Sequence, residues 1–396
     1  MCGYLWGRLS KEQRTGFISQ EAQMIGFSHS LKNWLYALAA TAAGFILSRV
    51  VLYGLTSLAA FSSADDSTEI NFTDIYDKVA DRGAVRTLSE DVVIVSVDGC
   101  DRSRIAAAID AVSFMEPSAV GLDLFFIYPS ADDEALIQAI GGCKNMVLPI
   151  TDGETPLKSY FYPLSGCSYG CVNMNASSSN DIVRDYIPVF DVGPDKVPCM
   201  AAALAEKISG RRMPAGQTPE RIWFPAIDFD VIEAEELVDE DGLPNLEVEG
   251  RIKDKAVLIG VVNDGSDMHR TPVAEEMPGI MIHAHILDTI LHDRGINEVS
   301  EALNLVIAIL CCLLFLRLHL FFKDWLDDVG EMIMRIVQFV LIYVFLVLGV
   351  NLYVRHHCLV DFSMTLLMLG FSLTALSIIK GTVYLFQMLK DKKKTA

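Results

Sequence analysis

The fold is decided by residues 255–291, KAVLIGVVNDGSDMHRTPVAEEMPGIMIHAHILDTIL. Ala256 to Val262 is a short apolar run rich in Val and Ile, which predicts a buried central strand. A polar loop from Asn263 to Asp267 follows at the carboxyl end of this strand, where open α/β sheets place their ligand crevice. The turn at Met277-Pro278-Gly279 then leads into a second apolar run, Ile280 to Ala284, and a segment of helical spacing.

The chain upstream of this stretch alternates strands with helices. Predicted strands lie at Val92 to Val97, Ala119 to Phe126 and Met146 to Ile150, with predicted helices at Arg102 to Met115 and Asp132 to Ile140. A βαβαβ order predicts a parallel sheet with right-handed crossovers. The expected fold class is therefore an α/β domain with a mainly parallel sheet flanked by helices. Further along, Phe229 to Val238 is expected to form a short acidic helix.

Charge is distributed unevenly along the chain. Residues 62–300 hold 42 Asp and Glu against 18 Lys and Arg, a formal charge of −24, whereas the whole chain carries −19. Like charges repel, so nucleic acid and anionic membrane surfaces are disfavoured as partners of this region. A cation or a basic protein is a better match.

Four apolar segments are long enough for a bilayer core of about 30 Å, which takes roughly 20 residues. Lys and Arg cluster before the first and after the last, so both termini are expected in the cytoplasm of a protein of the inner (cytoplasmic) membrane. The predicted organisation is a cytoplasmic segment 1–32, a transmembrane helix 33–61, an extracytoplasmic domain 62–300, transmembrane helices 301–322, 333–354 and 359–380, and a basic cytoplasmic tail 381–396.

Four carboxylates are the candidate ligand-binding residues: Asp98, Asp123, Asp264 and Asp267. Asp98, Asp264 and Asp267 follow predicted strands and Asp123 lies within one, so the four could converge at one edge of the sheet on an ion or a polar ligand. The alternative is that Asp98 and Asp123 cap helices or pair with nearby arginines.

Histidine and cysteine patterns add weaker signals. His269, His283 and His285 could offer imidazoles to zinc, but their spacing favours structural roles, and no metal site or cofactor is predicted. An oxidising exterior makes disulfides plausible, and Cys167 with Cys171 is the easiest closure, although sequence cannot give connectivity. Signatures of nucleophilic hydrolases, zinc proteases, P-loops and dinucleotide sites are absent from the sequence, so no enzyme is predicted.

A family resemblance follows from an ordered series of segments. These are VVIVSVDG, AVGLDLFF, DDEALIQAI, the 170–190 segment, the AAALA helix, IWFP, and KAVLIG with SDMHRTPV and MPGIMIHAHILDTIL. The series resembles the cyclase/histidine-kinase-associated sensory extracellular domain of type 2, over about residues 65–300. The resemblance implies an extracytoplasmic sensor, and it places Asp98, Asp123, Asp267 and the Thr271-Pro272 turn on family motif positions.

Two departures from the family pattern shape the functional expectation. The loop from Asn175 to Asn180 is rich in Ser where relatives are more acidic. Relatives also carry a cytoplasmic output domain, whereas only a short tail follows the last predicted span here.

The expected function is a membrane sensor of a small molecule or ion that passes a conformational change through Leu287 to Glu301 and a three-helix bundle to a separate membrane or cytoplasmic partner. A scaffold subunit of an envelope complex and a metal-dependent hydrolase are the alternatives. The oligomeric state stays open, a homo-oligomer included.

Overall fold

A computed structural model describes residues 30–53, 73–176, 182–211, 216–239 and 243–395, with only the backbone at 175, 176 and 393–395. Most of the predicted segment 1–32, the end of the first predicted span and the start of the extracytoplasmic domain lie outside the described residues, as do residues 177–181 of the Ser-rich loop. Two compact units are present: an α/β unit of residues 67–297 and 353–359, and a helical unit drawn from the remaining residues.

The elements are numbered here in chain order. Helices are α1 (Ser30–Tyr53), α2 (Asp74–Gly83), α3 (Arg102–Phe114), α4 (Asp133–Gly142), α5 (Met200–Ser209), α6 (Glu249–Ile252), α7 (Gly279–Leu291), α8 (Glu301–His356) and α9 (Ser363–Thr395). Two short 3-10 helices occupy Ala234–Leu237 and Gly265–Asp267.

Strands are β1 (Thr87–Ser96), β2 (Ala119–Asp123), β3 (Met146–Ile150), β4 (Ser168–Cys171), β5 (Asn175–Ala176), β6 (Val183–Tyr186), β7 (Val189–Val192), β8 (Asp195–Pro198), β9 (Glu220–Arg221), β10 (Ile227–Glu233), β11 (Ala256–Gly260), β12 (Met268–His269), β13 (Met277–Pro278), β14 (Asn297–Glu298) and β15 (Cys358–Leu359).

The α/β unit is built on a six-stranded sheet with the order β10-β1-β11-β2-β3-β4, in which every neighbouring pair is parallel. The predicted α/β class with a parallel sheet and flanking helices is confirmed. Strand β11 occupies the interior of the sheet and all five of its residues are buried, which explains its uniformly apolar sequence. It lies between two strands that precede it by more than a hundred residues in the chain.

Helices cover both faces of the sheet. On one face α3 and α4 pack against the alternate residues Val93 and Val95 of β1 and Leu122 of β2. On the other face α5 packs on β2, β3 and β4, and α7 packs on β1 and against α5. Gly121 of β2 makes this second layer possible, because a Cβ there would lie 2.9 Å from the Leu204 side chain of α5.

One predicted element is wrong. Residues 229–238 are not a helix: Ile227–Glu233 is the edge strand β10, followed by a single 3-10 turn. Ile227, Phe229 and Ile232 are its buried residues. The acidic residues that suggest a helix are those that an edge strand turns to solvent.

The helical unit holds three helices that are long and apolar enough to cross a membrane: α1, α8 and α9. The predicted spans 301–322 and 333–354 both lie inside α8, so four separate membrane helices are not confirmed. Helix α8 is interrupted at Asp327, whose φ of 52° and ψ of −127° are not helical. Gly330 allows the chain to turn there, since its Cβ would lie 2.2 Å from the carbonyl oxygen of Phe322.

Candidate functional site: a cleft at the carboxyl edge of the sheet

The candidate site lies where two central strands end. Asp123 is the last residue of β2 and is in register with Gly260, the last residue of β11. Gly260 has no space for a side chain, because a Cβ there would lie 2.8 Å from Cδ1 of Ile280 on α7. This close approach brings the first turns of α7 against the Asp123 carboxylate.

Asp123 and His283 form the floor of the cleft. The Asp123 side chain is 14% exposed and the His283 side chain 3%, and Oδ2 of Asp123 lies 3.9 Å from Nε2 of His283. That distance is too long for a hydrogen bond. Burial raises the pKa of the Asp123 carboxyl, although His283 opposes this shift, and burial lowers the pKa of His283. Burial thus disfavours the charged form of both side chains.

The 263–278 loop forms the wall. Asp264 accepts hydrogen bonds from the backbone N–H of Ser266 at 2.9 Å and from its hydroxyl at 2.8 Å, and these bonds lower the pKa of Asp264. Asp267 lies 3.1 Å from Nε2 of His269. Its carboxylate rests against Gly279, the first residue of α7, where a Cβ would approach it to 2.5 Å. The turn at Gly279 therefore requires glycine so that a carboxylate can face the helix N-terminus.

The resulting cleft has a volume of about 770 Å³. Its lining mixes the three aspartates with apolar side chains. The apolar members are Leu124, Phe125, Val172, Met174, Val261 and Met268. Among the described residues that line the cleft, Arg270 is the one arginine, and its guanidinium pairs with Glu275 at 2.8 Å. A small molecule with an apolar body and a polar or cationic group matches this lining.

Three of the four predicted carboxylates line this cleft, and Asp98 does not. Its Oδ1 accepts the backbone N–H of Val262 at 2.9 Å, and its Oδ2 accepts the Asn263 side-chain amide at 2.6 Å. Asp98 therefore holds the start of the loop that follows β11. This contact differs from the alternative raised for Asp98 and Asp123, which was helix capping or pairing with an arginine. Asp123 likewise neither caps a helix nor pairs with an arginine among the described residues.

The three histidines separate in the structure. His269 and His283 line the cleft, whereas His285 packs between Phe224 and Phe229, with ring centroids 5.1 and 4.9 Å away. The segment is a helix and not a strand, so residues 283 and 285 point in different directions. Among the residues that the structure describes, no group of three His, Cys, Asp or Glu side chains is placed to hold a metal ion.

The predicted Cys167–Cys171 disulfide does not match the fold. Both thiols are free, with Cys167 directly before β4 and Cys171 at its end. A strand rises about 3.3 Å per residue, so roughly 13 Å separates their Cα atoms, whereas a disulfide requires less than about 7 Å. The short sequence spacing made this pair the easiest closure, and the extended backbone between the two cysteines prevents it.

A second polar cluster was missed at the sequence level. Asp77 on α2 is fully buried, accepts a hydrogen bond from Arg221 Nη2 at 2.8 Å and another from the hydroxyl of Tyr353. Beside it, Asp74 and Arg184 form a two-bond ion pair, at 2.8 Å for each bond. The only signal in the sequence is that Asp77 falls on the same helical face as Tyr76 and Ala80, which are buried.

Comparison with known families gives the identity of this domain. A family model described as the CHASE2 domain matches residues 50–318, more than half of the 396-residue chain. The chain belongs to the CHASE2 domain family. This match confirms the resemblance found in the sequence. CHASE2 is a family of extracellular sensory domains and not of catalysts. Searches of the curated proteins and of the solved structures returned no match.

The CHASE2 domain and the apolar helices together describe a membrane protein with an extracytoplasmic sensory domain. The cleft at the ends of β2 and β11 is where the geometry of this CHASE2 domain places the buried polar groups that a ligand could use.

Asp123→Asn is expected to raise the stability of the protein at neutral pH. The folded-state pKa of Asp123 is raised by burial, so ionisation costs stability as the pH rises through that pKa. Removing the charge should increase the melting temperature by about 2–4 °C at pH 7.5, and the gain should disappear near pH 3–4, where the unfolded carboxyl is also protonated.

Asp230→Asn is the matched control. Its carboxylate is bonded to Arg251 at 2.6 and 2.8 Å, and these bonds lower its pKa, so this variant should be less stable at pH 7.5. Both variants would be melted across a range of pH. Changes of the same sign in the two melting temperatures at pH 7.5 would contradict the conclusion that burial raises the pKa of Asp123.

Proposed function

We propose that this protein is a membrane-anchored sensor whose CHASE2 domain binds a small extracytoplasmic ligand in the Asp123–His283 cleft. The observation that carries the proposal is a largely buried carboxylate, Asp123, which is 14% exposed and has no hydrogen bond among the described residues. Burying a carboxylate without a partner is costly, and sites of this kind are common where a ligand supplies the missing donor.

Helix α7 is the proposed transmitting element. It begins against Asp267 at the cleft, carries His283 in its second turn and ends at Leu291, and the chain then continues to α8 at Glu301. A ligand that pulls on Asp123 and His283 would shift this helix along its axis. Helix α7 packs on β1 and against α5. Packed elements of this sort move between discrete arrangements, so a small shift at the cleft can be amplified into a larger one.

A side branch from α7 supports the same route. The hydroxyl of Thr289 accepts the backbone N–H of Trp223 at 3.0 Å, and the Trp223 ring stacks on Tyr353 with centroids 5.4 Å apart. Tyr353 belongs to α8 and donates its hydroxyl to Asp77. Movement of α7 would therefore reach Tyr353 through side chains of the α/β unit.

The test is a thermal-shift screen of the full chain in mild detergent. Amines, divalent cations and neutral metabolites would be compared for wild type, Asp123→Asn, and Asp228→Asn as a control outside the cleft. A ligand at 100 times its dissociation constant should stabilise by about 2.7 kcal/mol, a shift of several degrees. Stabilisation retained in Asp228→Asn and lost in Asp123→Asn supports the cleft, and equal loss in both variants counts against it.

We also propose that the chain crosses the inner membrane four times, with both termini cytoplasmic, and hands its signal to a separate effector. The break of α8 at Asp327 and the Lys and Arg around the helix ends support this topology. A 56-residue helix would be about 84 Å long if straight, far more than one bilayer requires.

Reporter fusions test the topology. Green fluorescent protein fused after Ala396 should fluoresce, and alkaline phosphatase at the same position should be inactive, because the former folds in the cytoplasm and the latter needs the oxidising exterior. Phosphatase inserted after Gly153, in an exposed loop of the α/β unit, should be active. The reverse pattern would invert the proposed orientation.

A further inference from the structure

Two cysteines that are distant in the sequence are paired in the fold. Cys171 ends β4, and the backbone segment that enters α5 forms a parallel bridge with it at Cys199. Paired residues of neighbouring strands lie about 4.8 Å apart, inside the 4.4–6.8 Å range of Cα separations that disulfides span. The two backbone segments lie unusually close beside the cysteines, since a Cβ on Gly170 would lie 2.6 Å from Cα of Met200.

The surroundings of both sulfurs are closed. Cys171 is fully buried and Cys199 is 3% exposed. The sulfur of Cys199 accepts the backbone N–H of Ala202 at 3.4 Å, and that of Cys171 lies 3.3 Å from the side-chain oxygen of Asn173. No group here points to a metal or to a catalytic use of either thiol. The observation that needs an explanation is that the two cysteines are paired side by side in a domain of an extracellular family.

We propose that Cys171 and Cys199 form a structural disulfide in the exported protein. The oxidant is a dithiol oxidase or a small disulfide such as oxidised glutathione. One cysteine attacks a donor sulfur as its thiolate, which forms a mixed disulfide and releases the first donor thiol. The second cysteine attacks the first, forming the Cys171–Cys199 bond and releasing the second donor thiol. Two electrons pass to the donor, and the two cysteine protons end on its thiols.

Oxidation occurs before the domain closes. Burial raises the pKa of both Cys171 and Cys199 to about 12, so very little thiolate exists at neutral pH once the protein is folded. Buried cysteines in apolar surroundings are correspondingly inert. The bond therefore forms during export and folding, and the folded, reduced protein should react slowly with the same oxidant.

The bond would secure one wall of the cleft. Val172 directly follows Cys171 and lines the cleft, while Cys199 begins the helix that packs under β4. Joining them fixes the end of β4 to the N-terminus of α5. The proposal needs the extracellular placement of the family and is independent of which ligand the cleft binds.

Peptide mapping of the full chain tests the bond. The protein would be produced in a bacterial host with a periplasmic dithiol oxidase and in a matched host without it, alkylated in denaturant, and digested with trypsin followed by chymotrypsin. Trypsin releases residues 159–184 and 197–207, and cleavage after Tyr169 separates Cys167 from Cys171. The expected product joins the Cys171 and Cys199 peptides in the first host and is strongly reduced in the second.

Variants sharpen the result. Cys167→Ser should leave the cross-linked peptide unchanged, whereas Cys199→Ser should leave Cys171 alkylated. Reduction should lower the melting temperature of wild type by about 5–10 °C and that of Cys171→Ser hardly at all. Complete alkylation of both cysteines in the oxidising host, or a bond from Cys171 to another cysteine, would overturn the proposal. The peptide map of wild type decides the question even if a variant fails to fold.

Discussion

Replacing Asp77 with alanine is expected to destabilise the protein by about 3–5 kcal/mol, the usual result of breaking a buried ion pair. Asp77 is fully buried and bonded to Arg221, whose side chain is 4% exposed. Without Asp77 the nearest carboxylate oxygen is that of Asp74, 3.6 Å away and already bonded to Arg184. The Arg221 charge would then be buried with little compensation, and Tyr353 would lose its acceptor.

Thermal melting of the full chain in detergent measures this effect. At about 2–4 °C per kcal/mol, the melting temperature should fall by roughly 6–20 °C. Asp228→Ala is the matched control, because Asp228 pairs with Arg86 at 2.9 Å but both side chains are about half exposed. That variant should lose less than about 1 kcal/mol. A comparable loss in the two variants would contradict the role assigned to burial.

A double replacement separates charge from packing. Asp77→Leu combined with Arg221→Met removes both charges while keeping apolar volume, so it should be more stable than Asp77→Ala. Tyr353→Phe removes only one hydrogen bond and should cost about 1–3 kcal/mol. If Tyr353→Phe were neutral, the hydroxyl would not contribute to the stability of the α/β unit.

Gly170→Ala is expected to have the second large effect. The Cβ of alanine would lie 2.6 Å from Cα and 3.1 Å from the backbone nitrogen of Met200, and 3.2 Å from Val147. The first two contacts are to backbone, which cannot rotate away, so β4 or α5 must move. Overpacking of this kind typically costs about 1–3 kcal/mol and can cost more, so the melting temperature should fall by at least several degrees.

Gly141→Ala provides the comparison. Gly141 lies in α4, where an added Cβ meets nothing within 4 Å, and alanine is the better helix former. This variant should be neutral or slightly more stable in the same melting experiment. A Gly170→Ala protein that melts at the wild-type temperature would show that β4 and α5 are less closely packed than described.

Much of the fold was predictable because each element has a distinct pattern. The buried strands β1, β2, β3 and β11 are short apolar runs with turns at their ends, and α3 carries its apolar residues at helical spacing. The failures occur where tertiary context decides. Strand β10 is acidic because the residues between its buried Ile227, Phe229 and Ile232 are partly or fully exposed, and its sequence alone resembles an acidic helix.

The candidate site was only partly predictable for a related reason. Sequence placed Asp98, Asp123, Asp264 and Asp267 at strand ends, but it could not tell which strand ends point into an open cleft. Asp98 accepts hydrogen bonds from the backbone N–H groups of Val262 and Asn263, whereas Asp123 accepts no hydrogen bond among the described residues. Tyr353 was hidden for a different reason, because its apolar neighbours made the whole segment resemble a membrane span.

The position of β11 has a consequence for how the domain is made. Among the six strands of the main sheet, β11 is the last to be synthesised, yet it lies between β1 and β2, which are the first two. Until residues 256–260 emerge, β1 and β2 have no strand to join them, and pairing over such sequence separations is slow. The growing chain therefore holds two unjoined parts of a sheet, and the carboxyl edge that contains the cleft exists only after the final strand has been inserted.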